Sequence, residues 1–172
     1  MIVREATEND LPQMLEIYNE IIVNTTAVFH YEAHSAETRR DWFNLKKEQG
    51  FPVFVADENG TIAGFSSIGP FRPWPAYKYT VENSVYVAVP YRGKGVSKLL
   101  MQPLIDSARK LDMHAIIAVI EAENEASIKL HEKFGFVNVG QFPQVGYKFG
   151  KWLDLAFLQL TLDTPANPNE NY

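Results

Sequence analysis

Ala115 to Ile120 reads Ala-Ile-Ile-Ala-Val-Ile, an apolar run with no polar interruption. A strand with one wet face alternates polar and apolar residues, so a run without alternation has to be covered on both faces. That requirement predicts a layered α/β fold with helices on either side of a sheet. Suitable helices are present. Leu11, Met14, Leu15, Tyr18, Ile21 and Ile22 recur at helical spacing behind Asp10, a candidate N-cap, with Pro12 in the first turn. A second helix is expected over Ala36 to Gln49, burying Trp42, Phe43 and Leu45. A third follows Val96, Leu99, Leu100, Leu104, Ala108 and Leu111, with Pro103 expected to kink it or shift its start. The fourth runs from Asn124 to Phe134 and stops at Gly135, a left-handed cap.

Strands are expected at Ile2 to Ala6, Phe51 to Ala56, Thr61 to Ile68, Val81 to Val89, Ala115 to Ile120, Phe136 to Val139 and Leu153 to Leu162. Asn59-Gly60 joins the second and third as a hairpin. The order β-α-α-β-β-β-α-β-α-β-β describes a mixed sheet with helices on both faces, not a strictly alternating doubly wound fold. The chain's 172 residues suit one domain, expected over 1–163, with a disordered tail at 164–172.

Composition removes whole classes of chemistry. No cysteine is present, which excludes disulfides, thiol nucleophiles and thiolate metal sites. A net charge of −5 argues against a nucleic-acid partner. No apolar run approaches the roughly 20 residues of a membrane span. Met1 to Glu5 lacks the apolar core of a signal peptide, so a cytoplasmic protein is expected. His30 and His34 lack a third ligand, so no metal is expected. Ser84 and Ser97 lack the partners of a hydrolase triad.

Three features carry candidate chemistry. The first is Arg92-Gly93-Lys94-Gly95-Val96-Ser97-Lys98, between a strand and a helix. Its glycines let backbone N–H groups converge, and the helix dipole adds positive potential, which suits a pyrophosphate. A basic turn that merely starts a helix fits the same residues. The spacing is neither a Walker loop nor a dinucleotide fingerprint. The second is Glu82. Strand parity puts it on one face with Ser84, Tyr86 and Ala88, opposite Val81, Val85, Val87 and Val89. Apolar neighbours raise a carboxylate's pKa toward general-base values, whereas a solvated glutamate on a half-exposed strand does nothing. The third is Asn124 with His131, on one face of a helix. Asn124 is first of all an N-cap, and a histidine in such a place more often packs than reacts.

Between Ile68 and the Glu82 strand, Phe71-Arg72-Pro73-Trp74-Pro75-Ala76-Tyr77 reads as a stiff aromatic binding loop. Arg72 can fork onto a carboxylate, and Trp74 and Tyr77 can wall a pocket, with Lys78 adding charge. Arg72 can equally brace the loop against a carboxylate of the protein.

Val87-Ala88-Val89-Pro90-Tyr91-Arg92-Gly93-Lys94-Gly95-Val96-Ser97 resembles the acetyl-CoA motif of the GNAT superfamily of N-acetyltransferases, with Ser97 where that motif ends in Gly or Ala. Asn124-Glu125-Ala126-Ser127 with Gly135-Phe136 is similar to the family's second signature. Thr80 to Val87, Ala118 to Ile120, Asn24 to Ala27 and Gly146 to Asp154 resemble the phosphinothricin and methionine sulfoximine acetyltransferases within it.

The resemblance implies a GNAT-like, mostly antiparallel sheet of about seven strands with a splayed central strand. It implies acetyl transfer from acetyl-CoA to the amine of a small amino-acid analogue, with Glu82 as general base. His131 stands where many relatives carry a tyrosine thought to protonate the leaving thiolate. Val85, Tyr86, Val87 and Val89 would meet the pantetheine, and Arg92 through Lys98 the pyrophosphate. Asn124 and Ser127 would meet the rest of the CoA arm. Arg72, Pro73, Trp74, Tyr77, Glu82 and Ser84 would form the acceptor side. A homodimer is also implied. A peptide N-acetyltransferase and a non-catalytic acyl-CoA sensor are the alternatives on the same scaffold.

Overall fold

The computed structural model describes residues 1–170. Its strands are β1 (Ile2–Glu5), β2 (Val53–Glu58), β3 (Thr61–Pro70), β4 (Thr80–Val87), β5 (Ala115–Glu121), β6 (Val137–Lys148) and β7 (Lys151–Thr161). They form one sheet in the order β1-β2-β3-β4-β5-β7-β6. Its helices are α1 (Leu11–Asn24), α2 (Ala36–Glu48), α3 (Val96–Lys110) and α4 (Glu125–Lys133). One core joins α1 and α2 to Val53, Val55, Ile62 and Phe65. The other lies across the sheet, where Met101, Leu104, Ile105 and Ala108 of α3 meet Ile68, Val81, Ile116, Ala118 and Ile120. The unalternating run of β5 is thus covered on the α3 side by its even residues, as its composition requires.

One irregularity makes the site. Every strand pair is antiparallel except β4 with β5, whose parallel pairing ends at Glu82↔Ile117. Past that point β4 stays with β3 as far as Val87, while β5 stays with β7 as far as Glu121. The sheet therefore opens as a V. Ala88 N donates to Ala63 O, on the β3 side. Alternation along an antiparallel strand then turns the N–H and C=O groups of Val85 and Val87 toward the opening.

Several boundaries differ from the sequence reading. β6 is far longer than Phe136 to Val139, because Gly140, Pro143 and Gly146 read as breakers. Those residues are tolerated on an edge strand, where the register slips between Phe142 and Gly146 and a missing N–H costs nothing. The β6–β7 turn carries positive φ at Phe149 and Gly150. α3 runs through Pro103 without a break. Asp10 does not cap α1 with its side chain. Its carboxylate accepts from Arg4 at 2.8 Å and from the Thr7 N–H at 2.7 Å, closing a 3-10 turn ahead of the helix. In the expected tail, His114 Nδ1 lies 2.9 Å from Thr164 O, and the Tyr79 hydroxyl bonds the backbone of Asn169. Residues 171 and 172 of that tail lie outside the described residues.

Candidate active site

The V between β4 and β5 holds a cleft of about 1110 Å³. Glu82 through Val87 form one wall, and Ala118 through Glu121 the other. The start of α3 closes one end, and the segment after α1, Thr25 to His30, lines the cleft as well, with Thr26 bonded to Glu121.

The α3 end is built for an anion. Gly93 and Gly95 have φ of 75° and 84° in the left-handed region, which only glycine adopts without strain. Gly95 immediately precedes α3, so the first free N–H groups of the helix open onto Gly93, Gly95, Ser97 and Lys98 at the cleft. Val96 buries its side chain in the core, so only its backbone faces this loop. Two expected members stand aside. Lys94 Nζ sits over the Tyr91 ring at 5.5 Å and is not among the cleft residues. Arg92 lines the cleft, but its guanidinium is engaged by Glu20 at 2.6 Å and by Val87 O at 3.2 Å. Val89 falls in a 3-10 turn after β4, is half exposed and lies outside the cleft, because Pro90 ends the strand at Val87.

Glu82 sits at the apex of the V. Burial raises its pKa above the ordinary glutamate value, and the positive charges of Arg72 and Lys46 pull it partly back. Ser84 shares that face and lies 3.1 Å, Oγ to Oγ, from Ser67. Tyr86 turns inward against Tyr18 and Phe65, where burial raises its hydroxyl pKa. Arg72, Pro73, Trp74 and Tyr77 do not line the cleft, and Trp74 meets Tyr77 edge-on in an exposed loop. Arg72 lies 4.3 Å over the Phe71 ring and donates to Phe71 O, close enough to Glu82 to act on its charge.

Asn124 accepts from Ser127 N and so caps α4, while both residues line the cleft. His131 is buried, and burial lowers its pKa. Its Nδ1 donates to Ser127 O at 2.8 Å, since a carbonyl can only accept. That fixes the tautomer, and Nε2 accepts from Asn83 Nδ2 at 2.9 Å. Asn83 Oδ1 is buried at the cleft with no donor among the described residues. It is an orphaned buried acceptor on a residue of the cleft wall.

The residues fit an acyl-CoA: a nest of N–H groups for phosphates, the strand N–H groups of Val85 and Val87 turned to the opening, and an orphaned buried acceptor on Asn83, all along one continuous cleft. Residues 12–136 match the Acetyltransferase (GNAT) family. The chain belongs to the GNAT acetyltransferase family. A curated relative in Salmonella typhimurium, L-methionine sulfoximine/L-methionine sulfone acetyltransferase, is 42% identical over 98% of this chain and 99% of its own. Phosphinothricin N-acetyltransferase of Streptomyces coelicolor is 37% identical over 93% of this chain and 95% of its own. A Salmonella typhimurium acetyltransferase solved with acetyl-CoA superposes with a TM-score of 0.95 at 42% identity, over 98% of each chain. The GNAT match runs from α1 past α4 and takes in both walls of the cleft. The β6–β7 hairpin beyond it adds Leu155 to the lining.

Several site residues escaped the sequence reading. Lys46 follows Trp42 and Phe43 on α2, and the signal was a basic residue inside an apolar stripe. Glu121 ends the apolar run of β5. It is 5% exposed, accepts from Thr26 Oγ1 and Glu123 N, and lines the cleft. Lys148 is buried, with Nζ donating to Ile22 O, Thr25 O and Val28 O at 2.6, 2.9 and 2.7 Å. It clamps a segment that lines the cleft, and no local signal announces it. Among the described residues no cluster of three or more His, Asp or Glu is placed to hold a metal. No helix there is long and apolar enough to cross a membrane.

Proposed function

We propose that this GNAT enzyme moves the acetyl group of acetyl-CoA to the primary amine of a small amino-acid analogue of the methionine sulfoximine, methionine sulfone or phosphinothricin class. The observation that carries the proposal is the position of Glu82, a desolvated carboxylate at the apex of a cleft whose other end is an anion nest.

An ammonium is no nucleophile, so the acceptor must lose a proton before attack. Glu82 takes it, directly or through a water, and its raised pKa moves it toward the operating pH. The free N–H of Val87 points toward the opening and polarises the thioester carbonyl as negative charge develops on its oxygen. Gly93, Gly95, Ser97 and Lys98 hold the pyrophosphate, and Asn83 Oδ1 takes an amide N–H of the CoA arm. Asn124 and Ser127 shape the start of α4 beside it. Arg72 faces the acceptor's carboxylate from above Glu82, which suits a zwitterion and not a polycation. His131 has a proton only on Nδ1 and an occupied Nε2, so it acts as the support of Asn83 and not as the acid for the leaving thiolate. Register of amine and thioester in one cleft supplies much of the rate.

A second copy of the chain covers β6. Phe142, Val145, Tyr147, Phe149 and Trp152 are about half exposed or more on that edge hairpin, and an apolar, unpaired edge invites association. The enzyme works in the cytoplasm, where a chain without cysteine finds its acyl-CoA substrate. Steady-state release of CoA across a panel of amines tests the acceptor class. The sulfoximine or phosphinothricin should exceed ordinary amino acids, a polyamine and an N-terminal peptide in kcat/KM. Turnover with the peptide alone would move the assignment to peptide acetylation.

A further inference from the structure

We propose that Lys46 is a positioning residue for Glu82, its ammonium seated across the β3–β4 ladder so that the carboxylate stays ionised in the cleft without being locked into an ion pair. The proposal rests on Glu82 serving as the general base.

The geometry comes from a glycine. Gly69 of β3 is the direct ladder partner of Glu82. A Cβ built on Gly69 would fall on Lys46 Nζ. The ammonium therefore occupies the place of a side chain directly opposite Glu82. Opposed Cβ positions in an antiparallel pair are about 5 Å apart, which puts the cation beside Glu82 on the same face of the sheet. Lys46 reaches this place from α2 and is anchored there, donating to Ile68 O at 2.8 Å. The rings of Trp42 and Phe51 flank the ammonium at 5.9 and 5.8 Å.

The anchor matters. A lysine free to swing would close onto Glu82 and occupy the lone pairs that have to receive the acceptor's proton. Held by Ile68 O, it supplies field without contact, and Glu82 makes no ion pair among the described residues. The charged and titratable groups acting around Glu82 are Lys46 from α2, Arg72 from the loop after β3, and Tyr86 on β4 itself. Arg72 is exposed and stacks on Phe71, where a bound substrate carboxylate would compete for it. Lys46 is the less exposed cation of the pair. Burial lowers its pKa to about 8 while Glu82 holds it up, so it is charged at neutral pH.

The test is the pH dependence of kcat/KM for the best acceptor of the amine panel, in wild type, Lys46→Met, Lys46→Arg, Gly69→Ala and Glu82→Gln. Loss of a nearby cation destabilises the carboxylate, so the acidic limb of Lys46→Met should move up by about one pH unit. Lys46→Arg should return it toward wild type. Gly69→Ala leaves α2 intact and displaces only the flexible end of Lys46, so it should shift the limb in the same direction and decide the matter if Lys46→Met fails to fold. Glu82→Gln should abolish the limb. An unmoved limb in Lys46→Met and Gly69→Ala, with Glu82→Gln losing it, overturns the role of Lys46 alone. A wild-type limb in Glu82→Gln removes Glu82 as the base, and the inference falls with it.

Discussion

Asn83 and His131 join the two halves of the cleft: Asn83 Nδ2 on β4 donates to His131 Nε2 on α4 at 2.9 Å, one residue along the strand from Glu82. The bond fixes a neutral histidine and leaves Asn83 Oδ1 buried without a donor among the described residues. The imidazole therefore braces the wall next to Glu82 and presents no proton to it.

His131 makes stability pH-dependent. Burial holds its pKa below the ordinary 6.5. The unfolded chain takes up that proton near the ordinary value, and the folded chain only at lower pH. Between the two the unfolded state binds more protons, so stability is full above about pH 6.5 and falls as pH drops through the window toward the folded pKa. His131→Gln should lose this component. Urea midpoints from pH 7 down to pH 5 should fall more steeply for wild type than for the variant. Parallel curves would mean that His131 carries no buried neutral ring.

Gly95 gives a separate handle on the acyl donor. Its φ of 84° costs an L-residue about 1 kcal/mol or more. Gly95→Ala should raise the KM for acetyl-CoA several-fold and leave the acceptor KM within about twofold, since a 1.4 kcal/mol change corresponds to about tenfold. Equal changes in both constants would show that the loop does not bind the donor selectively.

Arg72 should do the reverse. Arg72→Ala removes the cation proposed to face the acceptor's carboxylate, and the acceptor KM should rise far more than that of acetyl-CoA. A charge-assisted hydrogen bond contributes about 1.5–3 kcal/mol, or roughly ten- to a hundredfold. A methyl-ester acceptor should be insensitive to the substitution. Sensitivity of ester and acid alike would restrict Arg72 to bracing its own loop.

The aims of the sheet and both core layers were legible because they follow from local rules. The uninterrupted Ala115–Ile120 run requires cover on both faces, and Asn59-Gly60 dictates a hairpin. The glycine nest and Glu82 were legible as candidates because each is a contiguous or parity-determined feature. What escaped depends on contacts distant in sequence. Lys148 acts on carbonyls more than 100 residues away, and the seat of Lys46 exists only because Gly69 lacks a side chain. β6 was underestimated because Pro143 and two glycines forbid a central strand but not an edge one. The aromatic loop suggests a pocket wall, whereas its rings pack on each other, and Arg72 is the residue of the loop whose charge acts on Glu82.

Lys148 holds three carbonyls of the segment after α1, so Lys148→Met strands buried acceptors. The loss should be about 2 kcal/mol of stability, read as a lower denaturant midpoint. The acceptor KM should rise with it, because the clamped segment lines the cleft. An unchanged acceptor KM in a destabilised variant would confine Lys148 to the fold.

The most direct measurement is the single-turnover rate of acetyl transfer by Glu82→Gln, paired with calorimetric binding of acetyl-CoA to the same protein. A general base commonly contributes 10²–10⁴-fold. The rate should therefore fall by about that factor while acetyl-CoA binds with wild-type affinity. A rate within a few-fold of wild type, with binding intact, would contradict Glu82 as the base that activates the amine.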